Sequence, residues 1–283
     1  MEVKAIDVHV HLNDAVSIKA KGPRAEQMAK YMGHELREVS VDEMADLYRA
    51  REMMAVIMNS TDVVTSGLTP VPNDHIAAAV RKHPDVFIGF GAIDPRMGKL
   101  AQAEIRRCAE ELGLRGIGEL HAARQHFFPN NPEYYPLWEE AAKHKLPVLF
   151  HTGMLAAGAG TPGGMGFKMK YNRPIPNLDD VAADFPDLKI IAAHPSWPWA
   201  EESLAICRHK SNYYIDLSGW APKYWPPSLT QYASSMLQDR VLFGSDWPAI
   251  TPERWIKEFQ ELPFKPEVRQ KIMLTNARRL FNL

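Results

Sequence analysis

Ile190-Ile191-Ala192-Ala193-His194-Pro195 sets four consecutive apolar residues directly before a histidine and a proline. A run that is apolar at every position, not at alternate ones, suits a strand buried on both faces of a parallel sheet. Runs of related character lie at 5–10, 55–59, 86–93, 116–121, 148–151, 213–217 and 241–244, and with 189–194 they make eight. Helix signals fill the intervals. Residues 41–51 put Met44, Leu47 and Tyr48 on one face, Asn73 and Asp74 are candidate caps for 76–82, and 100–112 stops at Gly113. Further helices are expected over 132–144, 178–184, 200–209, 229–237, 252–261 and 266–280. Eight such alternations predict an α/β fold, a closed (β/α)8 TIM barrel formed by residues 1–283 as one domain. A doubly wound open sheet is the alternative. Two long connections, 13–40 and 152–177, are expected as loops at the carboxyl end of the barrel, where catalytic loops gather.

Composition narrows the function by exclusion. The chain has 283 residues, 46% hydrophobic and 24% charged, with 33 basic against 34 acidic side chains and a formal net charge of −1. Such a balance fits a globular protein and removes the electrostatic case for a nucleic-acid or anionic-membrane binder. Cys108 and Cys207 are too few for a disulfide framework and read as free thiols. Met1-Glu2-Val3-Lys4 lacks the charged and apolar regions of a signal peptide, so a cytoplasmic location is expected. The unusual count is 11 histidines.

Their placement carries the chemistry. Asp7-Val8-His9-Val10-His11 closes the first run, and alternate strand residues share a face, so His9 and His11 point together. His151 ends the fifth run in Val148-Leu149-Phe150-His151-Thr152-Gly153, and His194 ends the sixth. Asp246 follows the eighth in Val241-Leu242-Phe243-Gly244-Ser245-Asp246-Trp247-Pro248. In a parallel barrel these ends surround one mouth, and imidazoles with a carboxylate suit a divalent metal ion. His34, His75, His83, His126, His144 and His209 fall in expected helices or loops and read as surface residues. Gly158-Ala159-Gly160-Thr161-Pro162-Gly163 matches a dinucleotide fingerprint in letters only. It does not follow a first strand or open a helix, and reads instead as a mobile lid.

The order HxH, His, His, Asp resembles the amidohydrolase superfamily. Pro147 through Gly153, Ala193-His194-Pro195, Phe243 through Pro248 and the closing Asn276-Ala277-Arg278-Arg279-Leu280-Phe281 resemble the branch related to aminocarboxymuconate-semialdehyde decarboxylase. The resemblance implies that His9, His11, His151 and Asp246 hold one divalent ion, zinc first, with manganese or iron as alternatives. It implies catalytic roles for Asp246 and His194, and a homodimer. Glu119 and His121, at the end of the fourth run, would serve a second metal or the substrate. Arg124 and Arg173 are the favoured partners of a substrate carboxylate, ahead of Lys168 and Lys170. Trp197, Trp220 and Trp247 would wall the pocket. After the sixth run, Pro195-Ser196-Trp197-Pro198-Trp199 departs from the glycine-bearing motifs of the decarboxylases. The leading expectation is therefore a metal-dependent hydrolase acting on a small carboxylate-bearing, aromatic or unsaturated substrate. Non-oxidative decarboxylation is the alternative, and a non-catalytic metal- or ligand-binding barrel the third reading.

Overall fold

The computed structural model describes residues 2–33 and 35–283, so the reading of His34 lies outside the described residues. Eight parallel strands alternate with helices: β1 (Ala5–His11), β2 (Met53–Met58), β3 (Phe87–Gly89), β4 (Ile117–Leu120), β5 (Val148–His151), β6 (Ile190–Ala193), β7 (Tyr213–Asp216) and β8 (Val241–Leu242). β1 to β3 pair in sequence order, as do β4 to β8. Backbone hydrogen bonds sew the two sheets together at both seams. Gly91 donates to Gly116 and accepts from Gly118, each at 2.9 Å, beside the Gly91–Ile117 bridge. At the other seam Val8 donates to Phe243, Asp246 to His9 and His11 to Trp247, all at 2.9 Å. The barrel is closed, and the open-sheet alternative is set aside.

Two apolar layers hold it. Ile6, Val8, Val56, Ile88, Phe90, Leu149, Ile191 and Leu242 fill the interior, with Ala277 and Phe281 from the C-terminal helix Asn276–Phe281, and Leu274 just before it, among them. That helix plugs the amino end: Asn276 donates at 2.8 Å to the Val241 carbonyl at the start of β8. A larger cluster, including Val10, Ile57, Ile117, Trp138 and Trp255, packs the outer face of the strands against the helices. The core therefore closes one end and leaves the carboxyl ends of the strands for the polar residues.

Several expectations change in detail. The third run narrows to β3, because beyond it Gly91 meets β4 only through an isolated bridge. Asn73 begins its helix, Asn73–Lys82, but does not cap it. Its side chain instead clasps the Ala92 backbone, accepting from the amide at 2.7 Å and donating to the carbonyl at 2.9 Å. Residues 13–40 are not simply loop: they hold helices Ala15–Lys21 and Arg24–Met32, the first capped by Asp14, which accepts from the Ser17 amide. His75, His83 and His144 are half-buried on acidic partners rather than free on the surface, with His75 lying 2.6 Å from Asp14. Among the described residues no helix is long and apolar enough to cross a membrane.

Candidate metal centre

The seam between β8 and β1 builds the centre. Because Asp246 pairs its backbone with His9, and Trp247 with His11, one carboxylate is delivered beside two imidazoles. A register irregularity of β1 on β2 between Asp7 and Val10 accompanies this arrangement. His9 Nε2 lies 3.2 Å from His11 Nε2, and Asp246 Oδ1 lies 3.6 and 3.3 Å from the two. His194 and Asp246 both adopt left-handed backbone, at φ 70° and 63°. Strain of that kind costs about 1–3 kcal/mol per residue and persists where the surroundings impose it, commonly at active sites. Gly219 (φ +70°) makes room: a Cβ there would stand 2.6 Å from His194 Nδ1 and 3.1 Å from Asp246 Oδ2.

Glu119 is the hub that sequence reasoning underweighted. From the end of β4 its Oε2 lies 3.4 Å from His11 Nε2, 3.7 Å from His9 Nε2 and 2.8 Å from His121 Nε2. Its Oε1 lies 2.8 Å from His151 Nδ1 and 3.4 Å from His194 Nε2, and these last two nitrogens are 3.1 Å apart. His151 thus joins the group by way of Glu119, while its Nε2 lies 3.2 Å from the Met154 carbonyl. The signal was present in Glu119-Leu120-His121, which repeats the alternate spacing of His9 and His11.

A buried frame orients these donors. Asp216 Oδ2 accepts from His9 Nδ1 at 2.9 Å, which leaves His9 Nε2 to face the cluster. Ser218 Oγ sits 3.1 Å from His9 Nδ1 and 2.9 Å from His194 Nδ1, joining the two rings. Carboxylate–histidine pairs of this kind fix ring orientation and raise ligand basicity. Beneath them Asp7 accepts from the Ser245 amide and hydroxyl and from the Tyr48 hydroxyl. Burial pushes the Glu119 carboxyl up, but the imidazoles of His121 and His9 outweigh it and hold the group well below its ordinary range. Burial likewise opposes protonation of His9, yet Asp216 and Glu119 together raise it. Burial is the largest influence at His121 and lowers it to about 3, against the opposing pull of the Glu119 carboxylate.

The donors open into a cavity of about 580 Å³ lined by His11, Glu119, His121, Arg124, His151, His194, Asp246 and Trp247, among others. Arg124 is thus where sequence places it. Arg173 is not: it lies outside this lining, half-exposed on Glu202 at 2.6 Å. Trp197 and Trp220 pack on each other at 5.7 Å between ring centres and also stand outside the lining, so of the three tryptophans Trp247 alone borders it. The glycine segment is in contact with the helix Arg24–Met32, where Gln27 accepts from the Gly158 amide and donates to the Ala159 carbonyl, each at 2.9 Å. Lys21 and Arg24, which also border the cavity, were missed by sequence because nothing local distinguishes them from solvated helix charges.

The amidohydrolase family profile matches residues 6–283. The chain belongs to the amidohydrolase family. Among relatives of this amidohydrolase-family enzyme, γ-resorcylate decarboxylase of a Polaromonas species is 24% identical over 249 residues, covering 75% of each chain. The 2-amino-3-carboxymuconate-6-semialdehyde decarboxylase of Dictyostelium discoideum is 25% identical over 240 residues, 75% of this chain and 65% of that one. A dihydroxybenzoic acid decarboxylase from Polaromonas, solved with bound manganese and the inhibitor 2-nitroresorcinol, superimposes with a TM-score of 0.65 at 19% identity, covering 99% of this chain and 97% of that one. These likenesses agree with the branch and the barrel expected from the motifs.

Proposed function

We propose that this enzyme catalyses the metal-dependent, non-oxidative decarboxylation of a small aromatic or unsaturated carboxylic acid. The observation that carries this reading is the donor cluster of His9, His11, Asp246 and Glu119 at the floor of a cation-bordered cavity. Donors about 2.1 Å from one ion stand about 3.4 Å apart in a tetrahedral arrangement, and the spacings among His9, His11 and Asp246 run from 3.2 to 3.6 Å. The residues therefore fit a divalent ion held by His9, His11 and Asp246, with His151 joined through Glu119. Nitrogen and carboxylate donors accept zinc or manganese alike, and the manganese of the Polaromonas decarboxylase supports manganese ahead of the zinc expected from sequence. When bound, the ion supplies Lewis acidity toward a substrate carboxylate or its neighbouring hydroxyl.

The chain's own groups supply the rest. Arg124 attracts the anion to the mouth, and Trp247 offers an apolar face to its carbon skeleton. Asp246 and His194 border the position of the reacting carbon and are the groups that hold the proton it must gain. In the balanced step the carbon–carboxyl bond breaks, carbon dioxide leaves, and that carbon takes one proton. From sequence alone hydrolysis leads; the decarboxylase relatives support its alternative instead. One observation favours a second reading, a two-ion hydrolase. Glu119 belongs both to the His9–His11 group and to a separate group with His151 and His194, and so could bridge two ions.

Metal stoichiometry and product analysis separate the two. The decarboxylase reading expects one ion per chain, loss of that ion in His9→Ala and Asp246→Ala, and carbon dioxide from at least one acid of a hydroxybenzoate and muconate panel. Two ions per chain, with turnover of esters or lactones and no carbon dioxide, would establish the hydrolase.

A further inference from the structure

The cavity carries more cationic groups than one reacting carboxylate needs. Three of its lining arginines have acids of their own: Arg37 pairs with Glu43, Arg51 with Glu253, and Arg254 with Glu258. Of the other three cations, Arg24 and Arg124 share one direct acidic partner, Asp62, and Lys21 has none among the described residues. Arg24 takes both Asp62 oxygens in a forked pair. Arg124 reaches one of the same oxygens only at 3.3 Å and spends Nη1 on the Ser60 hydroxyl at 2.9 Å. Its Nη2 has no partner among the described residues. Lys21 Nζ has a neutral partner, the Asn13 amide oxygen, at 2.9 Å. His121, which also borders the cavity, leaves Nδ1 buried without a partner.

A buried guanidinium with an open edge is costly unless an anion completes it, and the half-buried Lys21 ammonium beside it has only a neutral amide for a partner. The carboxylates of Glu119 and Asp246 do not fill that role, because they belong to the donor cluster and would be neutralised by a divalent ion. Lys21, Arg24 and Arg124 against Asp62 leave two positive charges on this wall.

We infer that Lys21 and Arg124 form a second anion subsite, so that the preferred ligand is a dianion with one carboxylate at the histidine cluster and the other on this wall. The inference rests on the proposed function only in placing the reacting carboxylate at the donors. Arg24 acts as a positioning residue, holding Asp62 so that Asp62 in turn orients Arg124. Such a ligand is chemically distinct from a simple hydroxybenzoate, whose single carboxylate would leave the wall uncompensated. Its sources in sequence lie far apart: Lys21 and Arg24 in the two helices after β1, Asp62 after β2, and Arg124 in the short helix Ala122–Gln125 after β4.

Calorimetric titration tests this with isophthalate, homophthalate and cis,cis-muconate as diacids and benzoate as the monoacid, on metal-loaded and chelator-stripped protein. At least one diacid should bind metal-loaded wild type about tenfold more tightly than benzoate, the equivalent of about 1.4 kcal/mol. Lys21→Met and Arg124→Gln should each erase most of that preference while metal content and the unfolding temperature stay unchanged. Lys21→Met lies at the end of a short surface helix and decides the matter if Arg124→Gln fails to fold. In stripped protein the same variants should weaken diacid binding, a readout independent of turnover. Equal binding of benzoate and every diacid, or a preference that survives Lys21→Met, would overturn the subsite. Diacid preference without carbon dioxide release would keep the subsite and sink the decarboxylase; decarboxylation of monoacids without the preference would do the reverse.

Discussion

Ser218 shows how much of this centre depends on a residue that touches no reacting atom. Its hydroxyl lies within hydrogen-bond distance of Nδ1 on both His9 and His194, so it sets two rings at once. Ser218→Ala should lower metal affinity or activity by about 10–100-fold, the range found when partners of metal-bound histidines are lost. Equilibrium dialysis of Mn²⁺ reads the first and steady-state kinetics the second, and Ser218→Thr should recover part of each. The strand-end histidines and Asp246 were legible in sequence because their position depends only on where an apolar run stops. Glu119 was half-legible, since its spacing to His121 was visible but its central place among five imidazoles was not. Ser218, Lys21 and Arg24 left no local signal: their meaning arises only when barrel closure brings remote segments together.

Helix Pro252–Gln260 follows β8 and shows what an element contributes to the site. Its Trp255 is fully buried, donates from Nε1 to the Leu217 carbonyl at 3.0 Å, and packs on Phe243, Trp225 and Phe259. It therefore ties the outer layer to the ends of β7 and β8, the strands that present Asp216 and lead to Asp246. Trp255→Ala should cost about 3–5 kcal/mol, as large core truncations do, and urea unfolding would record it as a lower midpoint with an unchanged slope. The helix was legible to within one residue, from its proline start and apolar period. The helices within 13–40 were not, because a serine three residues after Asp14 is a weaker mark than an apolar stripe. Gly158 through Gly163 gave no sign in sequence of its partner, since Gln27 reaches the segment from a helix that is remote in the chain.

Across the whole molecule, stability is concentrated at the amino end and in the outer layer, while the mouth gathers buried charge and strained backbone. Four histidines, the Glu119 and Asp246 carboxylates and a cationic wall in one cavity are costly without ligands, so metal binding should stabilise the fold. Mn²⁺ at one hundred times its dissociation constant would add about 2.7 kcal/mol, seen as a higher unfolding temperature than in chelator-stripped protein. The eight-strand barrel was legible in full, because continuous apolar runs and interspersed helices specify it without reference to chemistry. The reaction was not, since hydrolysis and decarboxylation use the same donors and differ only in whether water or a proton meets the substrate carbon.

That difference is measurable directly. Metal-loaded enzyme would be incubated in D₂O enriched in H₂¹⁸O with a panel of hydroxybenzoates, aromatic diacids and unsaturated diacids, beside esters and lactones of similar size. The proposed chemistry predicts carbon dioxide together with one deuterium on the carbon that lost its carboxyl group, abolished in Asp246→Ala. Incorporation of ¹⁸O into an acid product, with no carbon dioxide from any substrate, would contradict it.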